Sequence, residues 1–167
     1  MSNLMTSIGA SLRASPYLVV ACLSGPAVGG GAEIAMHADV RISSPTVGSL
    51  RFAQAAMCVS TGWGGGRRLA AVAGRSKALR LLATSETLSP VAALGLGIVD
   101  FIAEEGESAE QAALRILKNV QKIDGSVMAA IKGGIDAESM EEETMHFEKL
   151  WGGELHRRAF ERALLKK

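Results

Sequence analysis

Three consecutive glycines, Gly29, Gly30 and Gly31, are followed two residues later by a carboxylate at Glu33. Glycines let a backbone approach a ligand closely, because no Cβ intervenes. The first amides of a helix have no intrahelical acceptor and lie at the positive end of the helix dipole. If a helix begins at these glycines, its amides can stabilise negative charge, either on a bound phosphate or on an oxyanion that forms during a reaction.

The phosphate-binding patterns do not fit this segment. A P-loop requires Lys followed by Ser or Thr after its glycines, and the dinucleotide pattern G-x-G-x-x-G requires a later glycine where this chain has Ala32 and Glu33. A carboxylate in the first turn would also repel a pyrophosphate. The residues therefore favour an oxyanion site in which Glu33 moves a proton or orients a substrate. The alternative is that Glu33 only complements the helix dipole.

Hydrophobic patterning predicts the elements that position these residues. Residues 17–23 form a continuous apolar run, typical of a strand buried on both faces in a parallel sheet. An amphipathic helix over 3–14 precedes it, and a helix over 32–38 and a strand over 40–43 follow the glycines. The turn-rich stretch 44–66 is long enough to be of the kind that usually carries function.

The rest of the chain is predominantly helical by pattern. One more strand is predicted over 98–103, and in the helix over 76–83 the side chains of Leu79 and Leu82 are predicted to face the core. Further helices are predicted over 67–73, from Pro90, and over 109–121, 126–133, 140–150 and 154–165. Strands that each feed a helix indicate an α/β fold. Two domains are predicted, residues 1–104 and a helical region over 105–167.

Composition and charge exclude several function classes. The 167 residues carry 18 Lys+Arg and 17 Asp+Glu. This near balance of charge does not indicate binding to nucleic acid or to an anionic membrane surface. The longest apolar run is far shorter than a membrane span. Two cysteines cannot form a disulfide framework, which favours a reducing compartment, cytoplasmic or alternatively mitochondrial. The histidines show no metal-ligand spacing, and His37 is interpreted as structural rather than as a proton carrier.

Three segments resemble, in order, the crotonase (enoyl-CoA hydratase/isomerase) superfamily over residues 16–103. They are the stretch 16–41 around the glycines, Trp63-Gly64-Gly65 with Arg68-Leu69, and Gly95-Leu96-Gly97-Ile98-Val99-Asp100. A closer resemblance, to the ethylmalonyl-CoA decarboxylase branch, is carried by Leu50-Arg51-Phe52, Met57, Trp63 and Trp151-Gly152-Gly153. The resemblance implies a crotonase-like ββα superhelix, of which this chain would be the C-terminal part with a helical C-terminal region.

The resemblance also implies a site. The substrate would be an acyl-CoA thioester, with no cofactor apart from the coenzyme A of that substrate, and the amide of Gly30 would be one of two donors to the thioester oxygen. The substrate-binding residues that it implies are Gly29, Gly31, Met57, Trp63 and Gly64. For Met57 the sequence itself favours core packing over a substrate contact, and for Trp63 core packing is an equal alternative. A homo-oligomer, trimeric or hexameric, is expected.

One position departs from the hydratase pattern of the superfamily. Hydratases keep one of two catalytic carboxylates at the place of Glu33. They keep the second seven residues before a proline that is replaced here by Thr61, so its place falls on Gln54. Hydration requires a water activated by paired carboxylates, whereas glutamine can only form hydrogen bonds. Decarboxylation requires mainly a stabilised enolate, and a neutral Gln54 does not repel a substrate carboxylate. The sequence favours a decarboxylase of a short branched malonyl-type thioester; the alternatives are an enoyl-CoA hydratase/isomerase of fatty-acid metabolism and a non-catalytic acyl-CoA-binding homologue.

The resemblance further implies that the first oxyanion donor and the first strands of the superfamily lie upstream of these motifs. The chain is therefore expected to be truncated at its N-terminus by roughly a hundred residues, about one domain's worth of core. At the other end, Lys166 and Lys167 are interpreted as a solvated basic terminus, with contact to CoA phosphates as the alternative.

Overall fold

The computed structural model describes residues 2–165 and divides into two compact units. The first unit comprises residues up to Arg13 together with Leu18–Gln121, and the second comprises Ala14–Tyr17 together with the chain from Lys122 onward. Lys166 and Lys167 lie outside the described residues.

Strands and helices alternate through the first unit, which confirms the predicted α/β class. Its elements are α1 (Ser2–Ala14), β1 (Val20–Leu23), β2 (Ala27–Val28), α2 (Gly30–Ala35), β3 (Val40–Ser43), β4 (Leu50–Arg51), a 3-10 turn (Ala55–Met57), α3 (Gly65–Ala73), α4 (Arg75–Thr84), β5 (Thr87–Leu88), α5 (Pro90–Gly95), β6 (Phe101–Ile102) and α6 (Ala109–Ile116).

Two three-stranded sheets organise this unit. The first has the order β1-β3-β6 with all strands parallel, and Ile42 of β3 lies beside Cys22 of β1 and Phe101 of β6. The second has the order β2-β4-β5, in which β2 and β4 are parallel and β4 and β5 antiparallel. The predicted parallel strand after residue 17 is confirmed as β1, which begins only at Val20.

The prediction that the 17–23 run is buried on both faces is wrong. Tyr17 is 71% exposed, and in β1 only Leu23 is fully buried. Tyr17 precedes the strand, and β1 lies at the edge of its sheet, because it pairs with β3 alone among the described strands.

In the main core of the first unit, helices α3 and α4 pack against residues in and next to the second sheet. Leu69 of α3, Leu81 of α4 and Phe52 after β4 are all at most 1% exposed and belong to one hydrophobic cluster. In α4 the buried residues are Ala78 and Leu81. The prediction that Leu79 faces the core is therefore wrong, since its side chain is 56% exposed.

A smaller cluster joins α6 to the first sheet. Ala109 and Ala112 of α6 pack with Ile42 of β3 and Ala103, and Ser108 begins the helix with a capping box that includes Gln111. Small alanines let the helix lie close to the strand. The predicted domains, 1–104 and 105–167, stay a prediction; the compact units divide the chain elsewhere because α6 packs with the sheet.

The second unit is helical, with α7 (Gly125–Asp136), α8 (Met140–Glu148) and α9 (Glu154–Leu164). The helices α7 and α8 come close where Gly133 meets the ring of His146. Lys132 of α7 donates a hydrogen bond from Nζ to the carbonyl oxygen of Tyr17 at 3.0 Å. No helix within residues 2–165 is both long and apolar enough to cross a membrane.

Candidate active site

The glycine-rich segment forms the predicted turn between a strand and a helix. Gly29 follows β2 with φ +55°, a conformation that glycine adopts readily, and it caps α2, which begins at Gly30 rather than at the predicted residue 32. The amide of Gly29 donates to the carbonyl oxygen of Arg51 at 2.8 Å. The next amide, that of Gly30, is partly exposed and has no acceptor among the described residues. It is therefore available to a ligand.

Glu33 lies in the first turn of α2 and is only 3% exposed. Its Oε1 accepts a hydrogen bond from Nε2 of Gln54 at 2.8 Å. Its Oε2 accepts two more, from the backbone amides of Trp63 at 3.0 Å and Gly65 at 3.2 Å. Three donors thus balance the charge of a buried carboxylate, as burial of a charge requires. The carboxylate links α2 to the loop that precedes α3.

Gly65, the first residue of α3, lies directly against Glu33. A Cβ at residue 65 would lie 2.5 Å from Cγ of Glu33 and 2.7 Å from its Cα. Real Cβ atoms do not approach other atoms so closely, so any larger residue would force α2 and α3 apart.

Gln54 is 6% exposed and precedes the 3-10 turn. A carboxylate oxygen can only accept hydrogen bonds, so the amide nitrogen of Gln54 must face Glu33. The amide oxygen then points away, and it is buried without a hydrogen-bond partner among the described residues. An unsatisfied buried acceptor is uncommon and costly, so this oxygen is available to a ligand or a water.

Trp63 lies against Gly30. A Cβ at residue 30 would fall 2.2 Å from Cζ3 of the Trp63 indole and 2.5 Å from Cη2. The half-buried indole therefore forms a wall beside the free amide of Gly30. Four of the predicted site residues are thus brought together: Gly30, Glu33, Gln54 and Trp63.

Comparison with known proteins assigns the family. A model of the enoyl-CoA hydratase/isomerase family matches residues 4–153. The chain belongs to the enoyl-CoA hydratase/isomerase (crotonase) family. Among curated relatives, an ethylmalonyl-CoA decarboxylase of Xenopus tropicalis is 33% identical over 162 residues, which cover 92% of this chain and 54% of the relative. A short-chain-enoyl-CoA hydratase of Clostridium acetobutylicum is 35% identical over 106 residues, 60% of this chain and 40% of that protein.

Solved structures of the crotonase family confirm the predicted fold. An enoyl-CoA hydratase from Geobacillus kaustophilus superposes with a TM-score of 0.86 at 27% identity, covering 99% of this chain and 65% of that one. DspI of Pseudomonas aeruginosa superposes with a TM-score of 0.91 at 25% identity, covering 100% and 66%. The chain spans about half the length of the curated relatives that it matches.

The other predicted substrate-binding residues occupy more open positions in this crotonase unit. Gly29 and Gly31 flank Gly30, and Gly64, with φ +88°, lies in the exposed part of the loop before α3. Met57 ends the 3-10 turn after Gln54 and is 71% exposed. Core packing, which the sequence favoured for Met57, is therefore wrong, and a substrate contact for it stays a prediction.

The sequence analysis did not predict that His37 and Arg68 form hydrogen bonds next to this site. Nε2 of His37 lies 2.7 Å from the carbonyl oxygen of Trp63, and Arg68 donates from Nε to Nδ1 of His37 at 3.0 Å. The spacing of His37 four residues after Glu33 was a usable signal, because residues four apart share one face of a helix.

Within residues 2–165, no group of three or more His, Cys, Asp or Glu side chains is placed to hold a metal ion. A cavity of about 510 Å³ lies in the second unit, lined chiefly by apolar side chains of α7 and α8 and by Trp151. None of the predicted site residues lines it.

Proposed function

We propose that this member of the crotonase family decarboxylates a short branched malonyl-type CoA thioester. The observation that carries the proposal is the buried hydrogen bond between Glu33 and Gln54 at 2.8 Å. This pair contains one carboxylate and one neutral amide, whereas activation of a water by paired carboxylates needs two. The 33% identity to an ethylmalonyl-CoA decarboxylase over most of this chain supports the same substrate class.

In the proposed reaction, the thioester oxygen accepts a hydrogen bond from the amide of Gly30. The bond between the α-carbon and the carboxylate carbon breaks, and its electron pair moves through the α-carbon onto the thioester oxygen, so that an enolate forms and CO₂ leaves. The α-carbon then takes a proton from water, so that the acyl-CoA product and hydroxide remain. One preorganised oxyanion donor typically lowers such a barrier by about 2.7–4 kcal/mol.

Glu33 and Gln54 have different roles in this proposal. Glu33 accepts hydrogen bonds from Gln54 and from the amides of Trp63 and Gly65, so it orients the loop beside the substrate. Gln54 carries no charge, and it does not repel the carboxylate that becomes CO₂. Trp63 forms the wall of the acyl site next to Gly30, and Gly29, Gly31, Gly64 and Met57 are proposed to contact the substrate.

A second candidate function is enoyl-CoA hydration or isomerisation. The unsatisfied Oε1 of Gln54 favours it, because a buried acceptor beside a carboxylate could hold a water. The Clostridium acetobutylicum relative is named as a hydratase. In that case the amide of Gly30 would stabilise the enolate formed when water adds to the double bond.

Mass spectrometry of the protein incubated with ethylmalonyl-CoA, methylmalonyl-CoA and crotonyl-CoA separates the two functions. The decarboxylase proposal expects loss of CO₂ from the malonyl-type thioesters and little addition of water to crotonyl-CoA. Butyryl-CoA, which has no carboxylate to lose, is the matched control for spontaneous change. Addition of water to crotonyl-CoA without CO₂ release from any malonyl-type thioester would reject the proposal in favour of hydration.

The assembly of the active protein is also a proposal. We expect a homo-oligomer, trimeric or hexameric, as the resemblance implies, and we expect it to need no cofactor apart from the coenzyme A of its substrate. Sedimentation velocity of the protein measures the oligomeric state, and activity in chelator-treated buffer tests whether a bound metal is required.

A further inference from the structure

His37 is a buried side chain whose two ring nitrogens both form hydrogen bonds, although the reaction proposed above does not use it. It follows α2 and is 5% exposed. Its Nε2 lies 2.7 Å from the carbonyl oxygen of Trp63, and its Nδ1 lies 3.0 Å from Nε of Arg68.

The partners of this ring decide which nitrogen carries the proton. A guanidinium can only donate, so Nδ1 must be the unprotonated acceptor of the Arg68 hydrogen bond. A carbonyl oxygen can only accept, so Nε2 must carry the proton and donate it to Trp63. His37 is therefore a neutral imidazole in one tautomer, because a second ring proton would place one donor against another. A proton carrier needs a partner that gives up or takes a proton, and neither the guanidinium of Arg68 nor the carbonyl oxygen of Trp63 does so.

The hydrogen bond from His37 holds one of two peptide groups that flank the Cα of Trp63. The other is held by Glu33, whose Oε2 accepts from the Trp63 amide at 3.0 Å. Fixing both peptide groups restricts the backbone dihedrals of Trp63 and with them the direction of its indole, which lies against Gly30.

Two glycines enclose the ring of His37. A Cβ at Gly9 of α1 would fall 2.4 Å from Cε1 of His37, and a Cβ at Gly64 would fall 3.3 Å from the same atom. The two glycines leave the room that the ring needs, and the hydrogen bonds to Trp63 and Arg68 determine its orientation. Helix α1 packs against the site through this contact.

We propose that His37 is a positioning residue that holds the Trp63 indole against the amide of Gly30. Its effect on turnover rests on the proposed function, in which Gly30 is the oxyanion donor, whereas its effect on the placement of Trp63 does not. Loss of the hydrogen bond from Nε2 would release the indole and open the space beside Gly30. Loss of the ring's packing alone would lower stability without that specific release.

The tautomer is tested on the unmutated protein by proton–nitrogen NMR correlation spectra of the histidine side chains. The chain has three histidines, and the spectrum of His37→Gln assigns the signals of His37. At neutral pH we expect a protonated Nε2 and an unprotonated Nδ1. A protonated Nδ1 in the folded protein would overturn the proposal.

A matched pair of variants separates the two hydrogen bonds of the ring. Glutamine can place its amide nitrogen near the position of Nε2 and donate to Trp63, whereas the shorter asparagine reaches only the position of Nδ1. Since the chain has two tryptophans, the Trp151→Phe background leaves Trp63 as the sole tryptophan. His37→Gln should keep its emission maximum and acrylamide quenching, and His37→Asn should shift the emission to longer wavelength and increase quenching.

Two results from these variants would also overturn the proposal. One is unchanged Trp63 emission in His37→Asn. The other is an equal change of Trp63 emission in both variants together with an equal loss of stability in urea, which would indicate that only the packing of the His37 ring matters. If His37→Asn fails to fold, the tautomer measured by NMR on the unmutated protein still tests the proposal. Neither measurement needs turnover, so a negative decarboxylation assay leaves this test intact. Where CO₂ release is measurable, His37→Asn should lower kcat/KM further than His37→Gln does.

Discussion

Gln54 donates a hydrogen bond from Nε2 to Oε1 of Glu33 at 2.8 Å, and both side chains are more than nine-tenths buried. The bond joins residues 21 positions apart in the chain. A neutral donor and an anionic acceptor satisfy each other where two carboxylates would not.

Glu33→Gln should destabilise the protein by about 1–3 kcal/mol, because three buried donors lose their charged acceptor and the amide of Gln54 must turn over to avoid facing another donor. The midpoint and slope of urea unfolding measure the change. Glu141→Gln on the exposed first turn of α8 is the matched control, and a surface change of this kind should stay within about 0.5 kcal/mol. Equal effects of the two substitutions would contradict the three-donor assignment.

Gln54→Glu should place two carboxylates next to each other. At about 4 Å and an effective dielectric constant near 20, their repulsion is worth about 4 kcal/mol before screening. The folded variant therefore holds a shared proton, and the pKa of the new carboxyl rises above the value of about 4.3 that it has in the unfolded chain. Because the folded state then binds more protons, the stability of the variant falls as the pH rises above about 4.3.

Urea unfolding across that pH range checks this expectation, with the neutral Gln54→Met as the matched control. The two variants should diverge as the pH rises, and parallel curves would show that residue 54 does not interact with Glu33. In the thioester assay, Gln54→Glu should gain hydration of crotonyl-CoA and lose CO₂ release. The gain of hydration follows from a restored carboxylate pair, and the loss of CO₂ release follows from repulsion of the substrate carboxylate.

Gly30→Pro and Gly30→Ala test the oxyanion donor as a pair. Both add a Cβ, which would fall 2.2 Å from the Trp63 indole, but only proline removes the amide hydrogen. CO₂ release should therefore be lower in Gly30→Pro than in Gly30→Ala by roughly 10²–10³-fold, the usual effect of losing one such donor. Comparable rates for the two variants would remove Gly30 from the oxyanion site.

The acid stability of the first unit should depend on Glu107. Hydrogen bonds from Arg115 lower the pKa of this carboxyl to about 2. A lowered pKa in the folded state stabilises the protein above the unfolded value of about 4.3, and this contribution is lost as the pH falls toward about 2. Glu107→Gln should flatten the dependence of unfolding on pH in that window, as measured by urea midpoints.

Glu105→Gln is the control for this acid window, because Glu105 lies exposed on the same turn before α6. It should leave the pH dependence of the protein unchanged. If Glu105→Gln and Glu107→Gln alter the acid limb equally, net charge rather than the ion pair with Arg115 accounts for the effect.

The sequence by itself was sufficient where the physical requirement is local. The glycines at 29–31 predict a turn into a helix because Gly29 adopts a positive φ that other residues avoid. Ser89 and Pro90 predict the start of α5, where the Ser89 side chain accepts from the Ala92 amide. Apolar runs likewise predicted α1, β1 and β3 and with them the α/β class, because periodicity reports which face a local segment buries.

The tertiary structure alone decided which of these segments meet. Glu33 accepts from the amides of Trp63 and Gly65, 30 and 32 positions away, and no local preference encodes a contact over that distance. Burial was misjudged for the same reason: Tyr17 is exposed, and Leu81 rather than Leu79 lies in the core. Which face of a segment is covered depends on the neighbours that the fold supplies. Side-chain pattern specifies each element, and packing between distant elements determines the site.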